Sequence, residues 1–277
     1  MFCDLHTHSV FSDGTDTPAQ LIARAAQMGL TAIALTDHNT VAGLPDFLAA
    51  GQGSGVKAVP GCEFSTDYQG VELHILGLYI QPEHYQTVTD LLEKAQRDKE
   101  ESNRNLVKAL NEAGYKIDYE KVNTRSQGSV NRAHIAAELM EAGYISSIQE
   151  AFQSLLTKKR GFYKPPQRID AYDCIRFIKS IGAKAVLAHP FLNLKEEAAL
   201  RGFLPGAVEA GMDGMEVVYS KFTPEQTERA KQIASEFGLL YSGGSDYHGD
   251  NKPDIAMGVG RGNLQIPEAW EKRLANA

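Results

Sequence analysis

The sequence lacks the features that mark membrane and secreted proteins. Its 277 residues contain no apolar run close to the roughly 20 residues that a membrane helix needs. The first residues, MFCDLHTHS, have neither the basic nor the apolar region of a signal peptide. We therefore expect a cytoplasmic protein that does not insert into a membrane.

Cysteine is also scarce. The chain has three, at Cys3, Cys62 and Cys174, and they are far apart. An odd and scattered set forms neither a disulfide framework nor a zinc ribbon. We interpret them as reduced thiols, as expected in the cytoplasm.

Positive charge is in short supply. The formal net charge is -7, which argues against a broad nucleic-acid-binding surface. The charge is unevenly distributed, because residues 81–168 hold 14 Lys/Arg and 12 Asp/Glu, whereas the remainder carries a net charge of -9. Carboxylates outside the middle segment are thus available for metal ions, while the middle segment can meet an anion.

Short β-rich runs alternate with helical patterns in both halves of the chain. Strands are predicted at the DLHTH run and at Thr31–Thr36, Val56–Pro60, Val71–Tyr79, Ala183–Ala188, Gly214–Val218 and Leu239–Ser242. Helices are predicted at Pro18–Met28, Ala171–Ile181, Lys195–Ala210 and Pro224–Phe237, the first with Thr17 as N-cap. This alternation predicts parallel βα units, and hence an α/β barrel or a doubly wound sheet.

The middle of the chain follows a different pattern. From about Pro82 to Thr157 it indicates helices alone, and Pro165–Pro166 marks the exit from this segment. We predict a barrel formed by residues 1–81 and 169–277. Residues 82–168 are predicted to be a helical insertion that covers the active site.

Histidines and carboxylates are concentrated where the predicted strands end. The candidates are His6, His8, Asp13, Asp37, His38, Glu63, His74, His189, Asp246 and His248, which include six of the eight histidines. In βα architectures the carboxyl ends of the strands form the active-site face. Since residues two apart in a strand point to the same face, His6 and His8 can bind one ion.

Each of these residues has a structural alternative when taken alone. His74 could be a hydrogen-bonded core histidine, His189 could cap a strand, and Glu63 could be a buried ion-pair partner. We interpret Asp37 as a carboxylate that orients His38. Burying three carboxylates and six imidazoles together without compensation would be very costly, so the set as a whole indicates a metal cluster.

The ordered motifs HTH, SDG, TDH, CEF, LHILG, AHP and SDYH resemble the PHP (polymerase and histidinol phosphatase) superfamily, over residues 6 to 248. The resemblance implies a distorted (β/α)7 barrel with a three-metal site. It implies one metal at His6, His8, Glu63 and Asp246, a second at Glu63, His74 and His189, and a third at Asp13, His38 and His248. Glu63 would bridge the first two.

The resemblance also bears on the metal and on the chemistry. Several relatives have histidine where Asp13 stands, and a harder aspartate favours Mn²⁺ or Mg²⁺ at the third position. We expect three divalent ions per chain, with Mn²⁺ favoured and Fe²⁺, Zn²⁺ and Mg²⁺ as alternatives. Asp246 is expected to orient the nucleophile, and His189 is a candidate proton donor.

The insertion carries a second resemblance. Its sequence VNRAHIAAELMEAGY is similar to a subgroup that removes the 3′-phosphate from nucleoside 3′,5′-bisphosphates, some relatives of which trim short RNA from the 5′ end. The commoner motif is Gly-Arg-Pro-His, and here it is Asn131-Arg132-Ala133-His134. We expect Asn131, Arg132, His134 and Lys164 to bind substrate, with Arg132 on a second phosphate. The alternative for Arg132 is a solvated helix face.

Three other functions remain open at this stage. One is a small-molecule monoesterase acting on a compound such as histidinol phosphate, and another is an amidohydrolase, since activated water also attacks carbonyl groups. The third is a vestigial metal-binding module without catalytic activity. The expected partner is a small nucleotide or short oligonucleotide, with no membrane and no extended nucleic-acid surface.

Overall fold

The computed structural model describes residues 1–124, 130–166 and 168–277. The chain divides into two compact units, the first comprising Met1–Thr89 with Arg168–Ala277 and the second Asp90–Gln167. Within the described ranges, no helix combines the length and apolarity needed to span a bilayer. All three cysteines are buried free thiols, as predicted.

One sheet dominates the first unit. Its strands are β1 Phe2–Thr7, β2 Ala32–Leu35, β3 Lys57–Tyr68, β4 Val71–Leu78, β5 Ile169–Asp170, β6 Lys184–Leu187, β7 Gly214–Tyr219, β8 Leu240–Gly244 and β9 Ile266–Pro267. They lie in the order β8-β7-β6-β4-β3-β2-β1-β9, with β5 paired to β3. Every residue of β2 and of β7 is buried, because helices cover the sheet on its outer side.

The helices follow in chain order as α1 Pro18–Gln27, α2 Leu44–Gly51, α3 Tyr85–Glu112, α4 Tyr119–Thr124, α5 Arg132–Glu141, α6 Ile148–Ser154, α7 Ala171–Ser180, α8 Pro190–Asn193, α9 Glu197–Glu209, α10 Pro224–Glu236 and α11 Glu268–Asn276. The start of α1 is as predicted: Thr17 is the N-cap, Pro18 is the first helical residue, and Gln20 completes a capping box. The predicted helices that correspond to α7, α9 and α10 agree with the structure to within two residues at each end.

The α/β barrel class is confirmed, but the prediction of parallel βα units is wrong for β4. This strand runs antiparallel to both of its neighbours, β3 and β6. Only Gln69 and Gly70 join β3 to β4, and both have positive φ, at 52° and 81°. A two-residue hairpin cannot provide the crossover that parallel strands require. His74 therefore lies inside a strand, diagonal to Glu63 on the paired strand, rather than at a strand end.

The barrel nearly closes where β1 meets the segment after β8. Asp246 N donates to His6 O and His8 N donates to Tyr247 O, both at 2.9 Å. Gly244 makes this approach possible, since a Cβ at that position would overlap the Cβ of His6. Closure of the barrel therefore brings the two N-terminal histidines beside Asp246, although about 240 residues separate them along the chain.

The second unit has its own apolar core. Helices α3 to α6 contribute buried residues to it, among them Leu106, Leu110, Ile135, Leu139 and Ala151. Asn103 ties α3 to the start of the next segment, because its side-chain amide donates to Val130 O at 2.9 Å. This unit thus has the independent core that is expected of a folded subdomain.

Candidate metal centre

The Glu63 carboxylate lies at the centre of a ring of imidazoles and is completely buried. Five histidine nitrogens lie within 3.2 Å of its two oxygens. Oε2 is 3.2 Å from His6 Nε2, 3.2 Å from His8 Nε2 and 3.1 Å from His38 Nδ1. Oε1 is 2.7 Å from His74 Nδ1 and 3.0 Å from His189 Nε2. The two oxygens thus face two different groups of histidines. This division is the geometry that a carboxylate needs in order to bridge two cations.

Two further carboxylates complete the cluster. Asp246 Oδ1 lies 3.3 Å from His8 Nε2, 3.4 Å from His248 Nδ1 and 3.7 Å from His6 Nε2. Asp13 Oδ1 lies 3.1 Å from His248 Nε2, 3.8 Å from His8 Nδ1 and 3.9 Å from His38 Nε2. The structure therefore brings together all nine residues that the sequence predicts as ligands.

Donor atoms in three groups of these residues lie within 4.8 Å of one another. The groups are His6, His8, Glu63 and Asp246; His8, Asp13, His38 and His248; and His38, Glu63 and His74. The first group has the same four residues as the first predicted site. In the third, His38 takes the place that the sequence analysis gives to His189, although His189 Nε2 also lies 3.0 Å from Glu63.

Several contacts in the cluster fit a cation and do not fit hydrogen bonding. The buried atoms His38 Nδ1 and Glu63 Oε2 both lack a hydrogen-bond partner, although they are 3.1 Å apart. His6 Nε2 and His8 Nε2 face each other at 3.1 Å. Buried polar atoms are rarely left unsatisfied, and imidazole nitrogen with carboxylate oxygen is a donor set suited to Mn²⁺, Fe²⁺ or Zn²⁺. The residues present therefore fit a divalent metal.

The cluster holds its carboxylates in the ionised form. Burial opposes ionisation of Glu63, but the surrounding histidines outweigh burial and keep the pKa of its carboxyl well below the usual range. Burial likewise opposes ionisation of Asp246, where Lys252 and His248 prevail and lower the pKa. Charged carboxylates at neutral pH are what metal binding requires.

Loop geometry supports the ligands. Asp246 and His189 have φ values of 57° and 27°, and such left-handed backbone in non-glycine residues is a strain that is concentrated at functional sites. The interpretation that Asp37 orients His38 is wrong. Its carboxylate accepts hydrogen bonds from Ser9 N at 2.8 Å and from the Ser12 hydroxyl at 2.6 Å, so it holds the loop that leads to Asp13.

Three residues that the sequence analysis missed contact the cluster. Glu216 is fully buried, with Oε1 3.1 Å from His6 Nδ1 and Oε2 accepting from His189 N at 2.6 Å. Tyr219 and Lys252 both donate to Asp246 Oδ2 at 2.8 Å. The sequence could have indicated Glu216, because it is the one charged residue in the otherwise apolar run GMEVVY. Lys252 lies beyond the last motif and has no comparable signal.

The candidate substrate residues of the insertion lie at the start of α5 and near the end of the second unit. Asn131 caps α5 by accepting from Ala133 N and His134 N, and His134 Nδ1 accepts from Asn131 N at 3.2 Å. The Arg132 guanidinium carbon lies 4.2 Å from the Tyr163 ring centroid and 5.3 Å from that of Phe152. Two aromatic rings therefore hold Arg132, in contrast to the solvated helix face that was the alternative. The Lys164 side chain is exposed.

A distorted α/β barrel that gathers nine histidine and carboxylate side chains able to hold metal ions is the arrangement expected of a metal-dependent hydrolase. Its family is shown by comparison with known proteins. The family description "PHP domain" matches residues 4–163, and the chain belongs to this family. It is therefore a metal-dependent phosphoesterase.

Three curated relatives are similar over most of their length. The chain is 33% identical over 254 residues to a phosphoribosyl 1,2-cyclic phosphate 1,2-diphosphodiesterase from Eggerthella lenta, covering 90% of this chain and 95% of the relative. It is 31% identical to a 5′-3′ exoribonuclease from Haemophilus influenzae, covering 88% and 89%. It is 28% identical to a 3′,5′-nucleoside bisphosphate phosphatase from Chromobacterium violaceum, covering 88% and 86%.

Solved structures agree with the fold. A protein described as a metal-dependent phosphoesterase, from Bifidobacterium adolescentis, superposes with a TM-score of 0.86 at 28% identity, covering 99% of this chain and 96% of that chain. A protein from Chromobacterium violaceum described as an amidohydrolase, with bound sulfate and no metal, gives a TM-score of 0.88 at 26% identity, covering 99% and 97%.

Proposed function

We propose that this enzyme hydrolyses the 3′-phosphate of nucleoside 3′,5′-bisphosphates to leave the 5′-monophosphate. Two features carry the proposal, and each is described within its own unit. One is a cluster that offers Glu63 as a bridge between two groups of histidines. The other is an arginine, Arg132, that two aromatic rings hold in one orientation. The first feature suits a phosphate that is hydrolysed, and the second suits a phosphate that is only bound.

We assign three divalent cations to the cluster, with Mn²⁺ as the first choice. The proposed ligand sets are His6, His8, Glu63 and Asp246; Glu63, His74 and His189; and Asp13, His38 and His248. When bound, such cations lower the pKa of water toward neutrality and neutralise the charge of a phosphoryl group. The barrel supplies a buried site in which these charges are screened less than they are in water.

Asp246 and His189 have distinct roles in the proposal. Asp246 uses Oδ1 toward the cluster while Tyr219 and Lys252 hold Oδ2, so its orientation toward the nucleophile is fixed. His189 Nδ1 is 3.0 Å from Asn193 Oδ1, an acceptor, which places the ring hydrogen on Nδ1. His189 Nε2 then presents its lone pair toward Glu63, so we propose it as a ligand.

Arg132 is proposed to bind the 5′-phosphate. The rings of Phe152 and Tyr163 contact the guanidinium, and one in-plane donor goes to Leu156 O at 3.3 Å. Stacking leaves the edge of a guanidinium available for two parallel hydrogen bonds to phosphate. Asn131 and His134 set the direction in which α5 starts, and Lys164 adds positive charge directly after Tyr163, the ring that stacks on Arg132.

The relatives support this choice of substrate class and also define its competitors. The relative from Chromobacterium violaceum is named as a bisphosphate phosphatase, the one from Haemophilus influenzae as an exoribonuclease and the one from Eggerthella lenta as a cyclic phosphodiesterase. All three names describe hydrolysis of a phosphoester. We propose trimming of short 5′-phosphorylated RNA as a second activity of the same site, because its first nucleotide also carries a 5′-phosphate and a phosphate on its 3′-oxygen, which in RNA is a diester to the next nucleotide. Hydrolysis of its bond to the 3′-oxygen would release the 5′-monophosphate and leave the shortened RNA with a new 5′-phosphate.

The test is phosphate release by Mn²⁺-loaded enzyme from adenosine 3′,5′-bisphosphate. The comparison substrates are 3′-AMP, 5′-AMP, a phosphoribosyl 1,2-cyclic phosphate, histidinol phosphate, an aryl phosphate and a short 5′-phosphorylated RNA. The expected result is a clear preference in kcat/KM for the bisphosphate over both monophosphates, with 5′-AMP as the product. A preference for the cyclic phosphate or for histidinol phosphate would replace the proposed substrate and leave the metal centre in place.

The role of Arg132 has a matched control. Arg132→Ala should lower kcat/KM for the bisphosphate about 10- to 100-fold, the range for loss of a hydrogen-bonded charge, and should change aryl phosphate hydrolysis little. Arg104 stacks on Tyr119 at the same distance of 4.2 Å, so Arg104→Ala reports loss of arginine stacking alone. Equal losses of Arg132→Ala on both substrates would contradict binding of a second phosphate.

A further inference from the structure

A lysine lies against one of the cluster carboxylates. Lys252 Nζ donates to Asp246 Oδ2 at 2.8 Å. The same oxygen accepts the Tyr219 hydroxyl, also at 2.8 Å, while Oδ1 points to the histidines. The lysine therefore binds the Asp246 oxygen that does not face the histidines, and it also lies close enough for the Asp13 and Glu63 carboxylates to act on it electrostatically. Lys252 is not one of the nine proposed metal ligands.

The charge of Lys252 works against metal binding. The Lys252 ammonium group is a positive charge bound to a carboxylate that is a proposed metal ligand. It would repel divalent cations at the cluster and weaken Asp246 as their ligand. Tyr219 already provides a neutral donor to Asp246 Oδ2, so orienting the carboxylate does not require a cation. A lysine in this position is explained if a second anion binds there.

The position of Lys252 is fixed by backbone contacts. The short 3-10 turn Gly249–Asn251 precedes it, and Lys252 N donates to Gly249 O at 3.1 Å. Asp250 N donates to Thr15 Oγ1 at 2.9 Å and Asn251 Nδ2 donates to Asp13 O at 2.8 Å. The turn is thus tied to the loop that carries another cluster carboxylate. Lys252 is held in place before any substrate arrives.

Its exposure matches the edge of a site. The Lys252 side chain is 29% exposed, compared with 6% for Asp246. An ammonium group has three hydrogens, and one of them serves Asp246. The lysine thus extends from a buried carboxylate toward solvent, and no described hydrogen bond uses its other two hydrogens, which could bind a phosphate.

We propose that Lys252 is a substrate-binding residue that contacts the phosphate undergoing hydrolysis and helps to neutralise its charge. This inference rests on the proposed function only in that the substrate is a phosphoester, and it holds for each phosphoester named above. It assigns to the barrel a phosphate contact that is separate from the arginine of the insertion. The contact would add to the affinity for substrate and product phosphate, at the expense of affinity for metal.

The test measures metal and phosphate binding separately. Mn²⁺ is titrated calorimetrically into the metal-free parent, Lys252→Met and Lys252→Arg proteins, and inorganic phosphate is then titrated into each Mn²⁺-loaded protein. We expect Lys252→Met to bind Mn²⁺ at least as tightly as the parent, and to bind phosphate about 10- to 100-fold more weakly, the range for a charged hydrogen bond. Lys252→Arg keeps the charge and should recover most of the phosphate affinity.

Lys221 provides the matched control. It is exposed, and both Asp246 and Lys252 act on it electrostatically, but no described hydrogen bond joins it to Asp246. Lys221→Met thus removes a nearby charge without removing the contact. An equal loss of phosphate affinity in Lys221→Met and Lys252→Met would mean long-range attraction and overturn the proposal.

Weaker Mn²⁺ binding in Lys252→Met would also overturn it, because Lys252 would then act by holding Asp246. Tyr219→Phe is the reference for a residue that acts only by holding Asp246, because it removes the other donor to the same oxygen. This variant should weaken Mn²⁺ binding more than phosphate binding. Inorganic phosphate is the probe, so the result does not depend on which nucleotide is hydrolysed. A failure of the bisphosphate assay and a failure of this inference are therefore distinguishable.

Discussion

Glutamine in place of Glu216 should weaken metal binding although the residue touches no metal in the proposed ligand sets. Glu216 Oε2 accepts from His189 N at 2.6 Å, and Oε1 lies 3.1 Å from His6 Nδ1. A carboxylate can accept from both. When it accepts the Nδ1 hydrogen of His6, it leaves the Nε2 lone pair directed at Glu63 and ready for a cation.

Glutamine has nearly the same shape but only one acceptor. The backbone N–H of His189 is always a donor, so the amide oxygen must face it and the amide NH₂ must face His6 Nδ1. His6 then either moves its hydrogen to Nε2, which removes it as a ligand, or keeps two donors opposed. Opposed buried donors cost about 1–3 kcal/mol, and 1.4 kcal/mol corresponds to tenfold in affinity. We therefore expect Glu216→Gln to raise the Kd for Mn²⁺ by about 10- to 100-fold.

The assay is calorimetric titration of Mn²⁺ into metal-free protein, with the bound stoichiometry measured by elemental analysis after gel filtration. Glu209→Gln is the control, since Glu209 is exposed at the end of α9 and the substitution changes the net charge equally. Circular dichroism at each titration temperature establishes that both variants are folded.

One result would refute the reasoning. If Glu216→Gln bound Mn²⁺ with the affinity and stoichiometry of Glu209→Gln, the tautomer of His6 would not depend on Glu216. The buried carboxylate would then have only the structural task of holding His189 N.

Two further predictions concern closure of the barrel and pH. Gly244→Ala should destabilise the fold by about 1–3 kcal/mol in chemical denaturation and weaken Mn²⁺ binding, because the new Cβ overlaps His6, whereas Gly202→Ala, in open space on α9, should be neutral or slightly stabilising. Equal stabilities would show that the strands separate there without penalty. In the metal-free protein, burial lowers the pKa of His8, but the Asp246 and Glu63 carboxylates outweigh burial and raise it from 6.5 to about 9. Burial also lowers the pKa of His74, where mainly Glu63 outweighs it and raises the pKa from 6.5 to about 10. These raised values stabilise the folded metal-free protein below pH 6.5, and the stabilisation is lost as pH rises toward 10. Affinity for Mn²⁺ should rise over the same range, since the metal displaces these protons; a pH-independent Kd between pH 6.5 and 9 would contradict this.

Local patterns in the sequence were sufficient for several parts of the structure. The Thr17–Pro18 start of α1 follows from capping chemistry within four residues, and the placement of His6 and His8 on one face follows from the period of a strand. Polar residues that follow apolar runs, such as Glu63 and Asp246, are visible without any knowledge of the fold, although Glu63 lies inside β3 because that strand continues to Tyr68. These features depend on neighbours along the chain, which is why a single sequence reveals them.

The pairing of distant residues needed the tertiary structure. Glu216 meets His6 across 210 positions of the chain, and Lys252 and Tyr219 meet on the same oxygen of Asp246. The antiparallel direction of β4 depends on a two-residue hairpin whose effect on His74 shows only in the paired sheet.

The sequence by itself therefore determined which residues form the cluster and which class of fold carries them. The alternation of strand and helix patterns indicates the fold class, and the histidines and carboxylates that follow the predicted strands indicate the cluster. Only the tertiary structure decided which oxygen of Glu63 faces which histidines, and which groups donate hydrogen bonds to Asp246 Oδ2. Those choices arise from closure of the barrel, where contacts between residues far apart in sequence set distances of about 3 Å that no local pattern specifies.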